Sequence, residues 1–104
     1  MCEAASSFSW LSSVEVILLL GAKPVYVDIN LNDFNMDINE IKKKITKKTK
    51  AILSVSLFGY PCQIDKIKKI VKKNNIILIE DSAQSFGSKI ESKPISYFAD
   101  ITCY

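Results

Sequence analysis

The chain contains no histidine and no arginine: all 14 of its basic residues are lysine, against 11 acidic ones in 104 residues. Without histidine it lacks the commonest metal ligand and the side chain that most often moves protons near neutral pH. Without arginine it lacks the planar fork that reads guanine edges and grips phosphates in pairs. The net charge is only +3, and the aromatics are not interleaved with the lysines. A nucleic-acid partner is therefore not expected. Cys2, Cys62 and Cys103 are an odd number and include no C-x-x-C pair. No disulfide framework or zinc site is implied, and no metal is expected. The expectation is reduced, mostly buried thiols in a cytoplasmic protein. No G-x-G-x-x-G or phosphate-loop pattern occurs, so dinucleotide or ATP binding has no motif behind it. The apolar run from Ile17 to Ala22 is too short to span a bilayer, and Glu3 and Glu15 precede it where a signal peptide would carry basic residues. No membrane partner is expected.

What is present reads as a globular α/β chain. Hydrophobic residues make up 48% and charged residues 24%, which argues against disorder. Leu11 to Leu20 is almost wholly apolar and predicts a buried helix that stops at Gly21. Pro24 to Ile29 is rich in β-branched residues and predicts a strand. After a polar turn, Asp37 stands as a helix cap, with Glu40 three residues on to complete a capping box. Ala51 to Leu57 predicts a second strand, Gly59 and Pro61 a turn, and a helix follows to about Lys73. Ile76 to Glu80 predicts a third strand, and Ala99 to Tyr104 starts a fourth. Eleven lysines fall between Lys42 and Lys50 or between Lys66 and Lys73. Ile38, Ile41 and Ile45, and likewise Ile64, Ile67, Ile70 and Val71, recur at helical intervals, so the lysines read as solvated faces rather than a phosphate patch. The alternation predicts a mostly parallel sheet with flanking helices. Met1 to Ser6 shows no strand signal of its own. With no helix after the last strand, an incomplete domain is expected.

The most informative stretch is Ile76-Ile-Leu-Ile-Glu80-Asp81-Ser-Ala-Gln84-Ser-Phe-Gly87. Four apolar residues run directly into two carboxylates, as in a buried strand presenting an acid at its C-terminal edge, where ligands sit in open α/β sheets. A carboxylate there suits a ring nitrogen that must stay protonated, as in pyridoxal phosphate. The bland alternatives are a turn or cap for Asp81, a solvated loop residue for Gln84 and a core residue for Trp10.

Ser7-Phe-Ser-Trp10, Leu18 to Ile29, Thr46 to Ile52, Ser56-Leu-Phe-Gly59 and Glu80 to Gly87 occur in that order. Together they resemble the DegT/DnrJ/StrS family of nucleotide-sugar aminotransferases, over about Ser7 to Tyr104. The form of Glu80 to Gly87 is similar to the branch acting on UDP-linked 3-keto sugars for surface polysaccharides. The resemblance implies a fold-type I architecture, with residues 1–104 as part of the large domain that binds pyridoxal 5′-phosphate. The N-terminal phosphate-binding part and the C-terminal small domain would be absent. It implies Asp81 as partner of the pyridinium nitrogen, Gln84 at the phenolic oxygen and Trp10 stacked on the ring. The implied partners are a nucleotide-linked keto sugar, an amino donor such as glutamate, and a second copy in a homodimer.

The Schiff-base lysine of that family is expected beyond Tyr104, so no catalytic residue is assigned, and Lys89 and Lys93 fall in an expected hairpin. The chain alone is expected not to transaminate. Two alternatives stand beside this: a non-catalytic α/β binding module, and a related sugar dehydratase with histidine in place of that lysine.

Overall fold

The structure, a computed structural model, describes residues 2–104. Its first element departs from the sequence reading: Cys2–Ser6 forms strand β1, where no strand was expected. The segment carries two alanines and no β-branched residue, so propensity gives no signal. Pairing on both edges, to β2 (Lys23–Val27) and β3 (Thr49–Val55), makes it a strand. Helix α1 (Ser12–Leu19) lies between β1 and β2, and α2 (Ile38–Lys44) between β2 and β3. Helix α3 (Ile64–Asn74) leads into β4 (Ile77–Asp81). The short antiparallel hairpin of β5 (Lys89–Ile90) and β6 (Lys93–Pro94) precedes β7 (Ile101–Cys103).

Five strands make one parallel sheet in the order β2-β1-β3-β4-β7. From β1 the chain moves to one side to form β2, then crosses to pair β3 with the other edge of β1. The ends of β1 and β3 therefore flank the point where strand order reverses, which in open α/β sheets is where a crevice forms.

The two faces of the sheet follow the period of two along each strand. Ala4, Val27, Ile52 and Leu78 pack with Ile41 of α2 and with Ile64, Ile67 and Val71 of α3 in one core. Ala5, Leu53 and Ile79 turn the other way, under Val14 and Ile17 of α1.

Helix α1 was expected to be buried, but only Ser13, Val14 and Ile17 are. Val16, Leu18, Leu19 and Leu20 are exposed, because a single helix on that face can turn only one stripe inward. It ends as expected at Gly21, whose φ of 73° suits glycine. Ala22 N–H donates to the Ile17 carbonyl and Gly21 N–H to that of Leu18, a Schellman closure sealed by the buried pair Ile17 and Ala22.

Asp37 caps α2, its Oδ1 accepting from the N–H groups of Asn39 and Glu40. The carboxylate of Glu40 binds Lys43 at 2.5 Å instead of completing the box.

Strand β3 stops at Val55, two residues earlier than expected, because Phe58 sits at φ 57° and turns the chain away. Of the three free thiols only Cys62 is buried; Cys2 is half-buried and Cys103 exposed, which corrects the expectation of mostly buried cysteines. No helix among the described residues is long and apolar enough to cross a membrane.

Candidate functional site

The crevice between the ends of β1 and β3 is an open groove of about 320 Å³. Its walls are the Ser7–Trp10 loop after β1, Leu57 and Phe58 after β3, and Gln84 after β4. A hollow of about 380 Å³ around Pro61, Lys66 and Lys89 holds none of the three expected cofactor-binding residues, Trp10, Asp81 and Gln84.

Trp10 is 79% exposed, so it is not a core tryptophan. Its backbone is fixed, since its carbonyl accepts from Ser13 N–H at the start of α1. The indole face is left free beside the groove, an arrangement suited to stacking.

Gln84 is anchored by one end of its amide. Its Oε1 accepts from Phe58 N–H at 2.9 Å. A backbone N–H can only donate, so the oxygen faces Phe58 and the NH2 is the free end. The groove therefore receives a neutral donor suited to a phenolate or another anionic oxygen.

Asp81 ends β4, half-buried on the face of the sheet that α1 covers. Its Oδ2 accepts from Ser13 Oγ at 3.2 Å and its Oδ1 from Ala83 N–H at 3.1 Å. Both contacts orient the carboxylate without neutralising it, and each oxygen keeps a lone pair for a further donor. Asp81 is not among the residues that line the groove. It is linked to the groove through Ser13, whose N–H binds the Trp10 carbonyl. The structure thus brings Trp10 and Gln84 into one groove and ties Asp81 to it through the first turn of α1.

Glu80, one residue earlier, turns to the opposite face and is completely buried. Ser54 Oγ and Ser56 Oγ donate to its two oxygens. Burial pushes its carboxyl up to about 7, against the pull of the hydrogen bonds from Ser54, Ser56 and Cys62. Burial, with Glu80 alongside, also pushes the Cys62 thiol up.

Sequence reasoning missed Ser13, Phe58 and Glu80. The alternation of β4 separates the two acids, but which face is sealed depends on where the helices pack. Phe58 was legible only as part of the Ser56-Leu-Phe-Gly59 stretch that carried the resemblance. Lys89 and Lys93 lie in the β5–β6 hairpin as expected, with Lys93 Nζ 4.4 Å over the Tyr97 ring, and neither lines the groove.

A model of the DegT/DnrJ/EryC1/StrS aminotransferase family matches residues 4–104. The chain belongs to this family. Among its members, GDP-perosamine synthase of Escherichia coli O157:H7 is 39% identical over 98 residues, which are 94% of this chain and 27% of that protein. UDP-2-acetamido-2-deoxy-3-oxo-D-glucuronate aminotransferase of Pseudomonas aeruginosa is 42% identical over 96 residues, 92% of this chain and 27% of that protein. The crystal structure of NtdA from Bacillus subtilis with bound cofactor PMP superposes with a TM-score of 0.88 at 32% identity, over 97% of this chain and 22% of that one. The chain thus spans about a quarter of the length of the family members it matches.

The donor set fits a pyridoxal-type ring. An oriented carboxylate, a flat aromatic face and a free amide NH2 are the groups that a ring nitrogen, a π-face and a phenolic oxygen call for.

Proposed function

We propose that this chain supplies the ring-binding part of a pyridoxal 5′-phosphate-dependent aminotransferase acting on a nucleotide-linked keto sugar. The observation that carries the reading is Gln84. Its amide oxygen is held by Phe58 N–H, which leaves the NH2 as the free end of a residue lining a groove also walled by Trp10, at the strand-order reversal of the sheet. In the proposed roles, Trp10 stacks on the ring, Gln84 donates to the phenolic oxygen and Asp81 accepts from the ring nitrogen. The bound coenzyme supplies an electron sink for amino-group transfer. The protein's own part is to fix the plane of the ring, to neutralise a protonated ring nitrogen and to hold the phenolic oxygen as an acceptor. Ser13 and Ala83 N–H keep the Asp81 carboxylate aimed while this happens.

Among the described residues no lysine lines the groove, and in this reading Trp10, Gln84 and Asp81 bind and orient the ring. The sugar substrate is supported by the names of the two relatives, one a GDP-sugar synthase and the other an aminotransferase of a UDP-linked 3-oxo sugar. In this reading an amino donor such as glutamate supplies the nitrogen, two copies of the whole enzyme pair, and the described sheet is part of its large domain.

Pyridoxamine 5′-phosphate is the probe of choice, because it has no aldehyde to react with the 14 lysines. Trp10 is the only tryptophan, so its fluorescence reports on the groove directly. Saturable quenching with a Kd of about 0.1–1 mM is expected, weakened at least several-fold by Asp81→Ala. Quenching that does not saturate, or that Asp81→Ala and Gln84→Ala leave unchanged, would overturn the reading.

A further inference from the structure

Glu80 has no role in the reading above, yet it is 0% exposed, and neither ion pair among the described residues involves it. Its position explains more than its own burial. Ser54 and Ser56, at the end of β3, donate to its oxygens, and Cys62 Sγ lies 3.6 Å from Oε2. Ser56 Oγ in turn accepts from Cys62 N–H at 3.0 Å. One carboxyl thereby ties the last residues of β3 to the entrance of α3, at both ends of the turn over residues 57–61.

That turn is a wall of the groove. It contains Phe58, a phenylalanine in the left-handed region at φ 57°, a conformation that is strained for a residue with a side chain. Such strain persists only where the surroundings over-determine it. A second clamp is Asn35, itself buried, which accepts from Leu57 N–H at 3.0 Å and donates from Nδ2 to the Tyr60 carbonyl at 3.2 Å. Gln84 depends on the result, because its side chain hangs from Phe58 N–H.

From this geometry we infer that Glu80 is a positioning residue of the groove: its buried carboxyl clamps the strained turn after β3, and through Phe58 it sets where the amide of Gln84 points. What the groove holds rests on the function proposed above; the clamp itself does not.

The groups facing Glu80 are Ser54 of β3, Ser56 just past its end, Cys62 ahead of α3, and Thr102, its register partner on β7. Of its neighbours only Cys62 and the adjacent Asp81 titrate, and neither is a cation. The clamp also has two protonation states with all donors placed. Ser54 Oγ lies 3.3 Å from the Ile79 carbonyl, so when Oε2 carries a proton it donates to Ser54 Oγ and the serine hydroxyl turns to Ile79. The bond to Ser56 then loses its charge assistance and weakens.

The test is nuclear magnetic resonance of the chain and of Glu80→Gln across pH 5–9. The amides of Phe58 and Cys62 and the side-chain NH2 of Gln84 are expected to shift together with a midpoint near 7. With no histidine in the chain, the terminal amine and free thiols are the other groups that ordinarily titrate between pH 5 and 9, and Glu80→Gln leaves them in place while abolishing the transition. In Glu80→Gln, hydrogen exchange at Phe58 and Cys62 should quicken about tenfold or more, with Ile52 and Leu78 within about twofold.

The inference is overturned if Phe58 and Gln84 respond to neither pH nor substitution. It is also overturned if Ile52 and Leu78 lose protection equally, since Glu80 would then be ordinary core. Should the variant not fold, the pH titration of the unaltered chain decides alone. Pyridoxamine phosphate binding separates the two ideas: its absence sinks the function proposed, and silent Phe58 and Gln84 signals sink the clamp.

Discussion

Gln84 shows how much one side chain can decide. Its carbonyl is spent on Phe58 N–H, and its chemistry in the groove is that of an NH2 donor. Gln84→Glu keeps the acceptor for Phe58 but replaces the donor with an anionic oxygen. Chain stability should change by no more than about 0.5 kcal/mol, because the site is exposed. Pyridoxamine phosphate affinity should fall about tenfold or more, the loss of a charge-assisted hydrogen bond combined with repulsion from a phenolate. Fluorescence titration beside a denaturant melt separates the two effects, and equal affinities would remove Gln84 from the site. Asp81 stood out in the sequence because an apolar strand running into an acid is a local pattern, whereas Gln84 was marked only by the family resemblance. The neighbour of Asp81, Glu80, was not readable in the same way. The clamp needs Ser54, Ser56 and Cys62, which are 18–26 residues distant and meet it only through the register of β3 with β4.

At the scale of elements, helical periodicity served α2 and α3 well, because their isoleucines alternate with lysines and leave one side for the core. It failed for α1, where Val14, Val16, Ile17, Leu18 and Leu19 are spread around the helix and mark no single apolar stripe. Nothing in Ser12–Leu19 distinguishes the stripe that packs from the one that does not, and only the sheet beneath selects Val14 and Ile17. The same logic hid β1: Ala4 and Ala5 are a strand because β2 and β3 bracket them, not from their own preference. The outer stripe of α1 carries a consequence. Leu19 and Leu20 are 84% and 81% exposed, and contiguous apolar surface of this kind drives association. The double substitution Leu19→Lys, Leu20→Lys should lower self-association of the chain in sedimentation velocity while leaving the denaturant midpoint within about 0.5 kcal/mol of the parent. A matching loss of stability would show that these leucines pack against something within the chain after all.

For the whole molecule, the buried carboxyl of Glu80 sets a dependence of stability on pH. Its ordinary value of 4.5 is raised to about 7 in the fold, chiefly by burial. Between those values the folded chain holds a proton that the unfolded chain has released. Stability is therefore highest at and below the lower value, falls as pH rises through about 7, and levels off above it. The interval corresponds to on the order of 3 kcal/mol, a large share of what a domain of this size commonly has. Asp100 acts in the opposite sense. Leu78 N–H and Lys68 hold its carboxyl below the ordinary 3.8, so its contribution is present above that value and lost only in more acid solution. The two windows do not overlap, which leaves pH 5 to 8 to Glu80. Denaturant midpoints should be higher at pH 5 than at pH 8 for the parent chain and nearly level across that range for Glu80→Gln. A parent profile that rises from pH 5 to 8 would mean that the carboxyl is ionised throughout and that a cation, not burial, governs it.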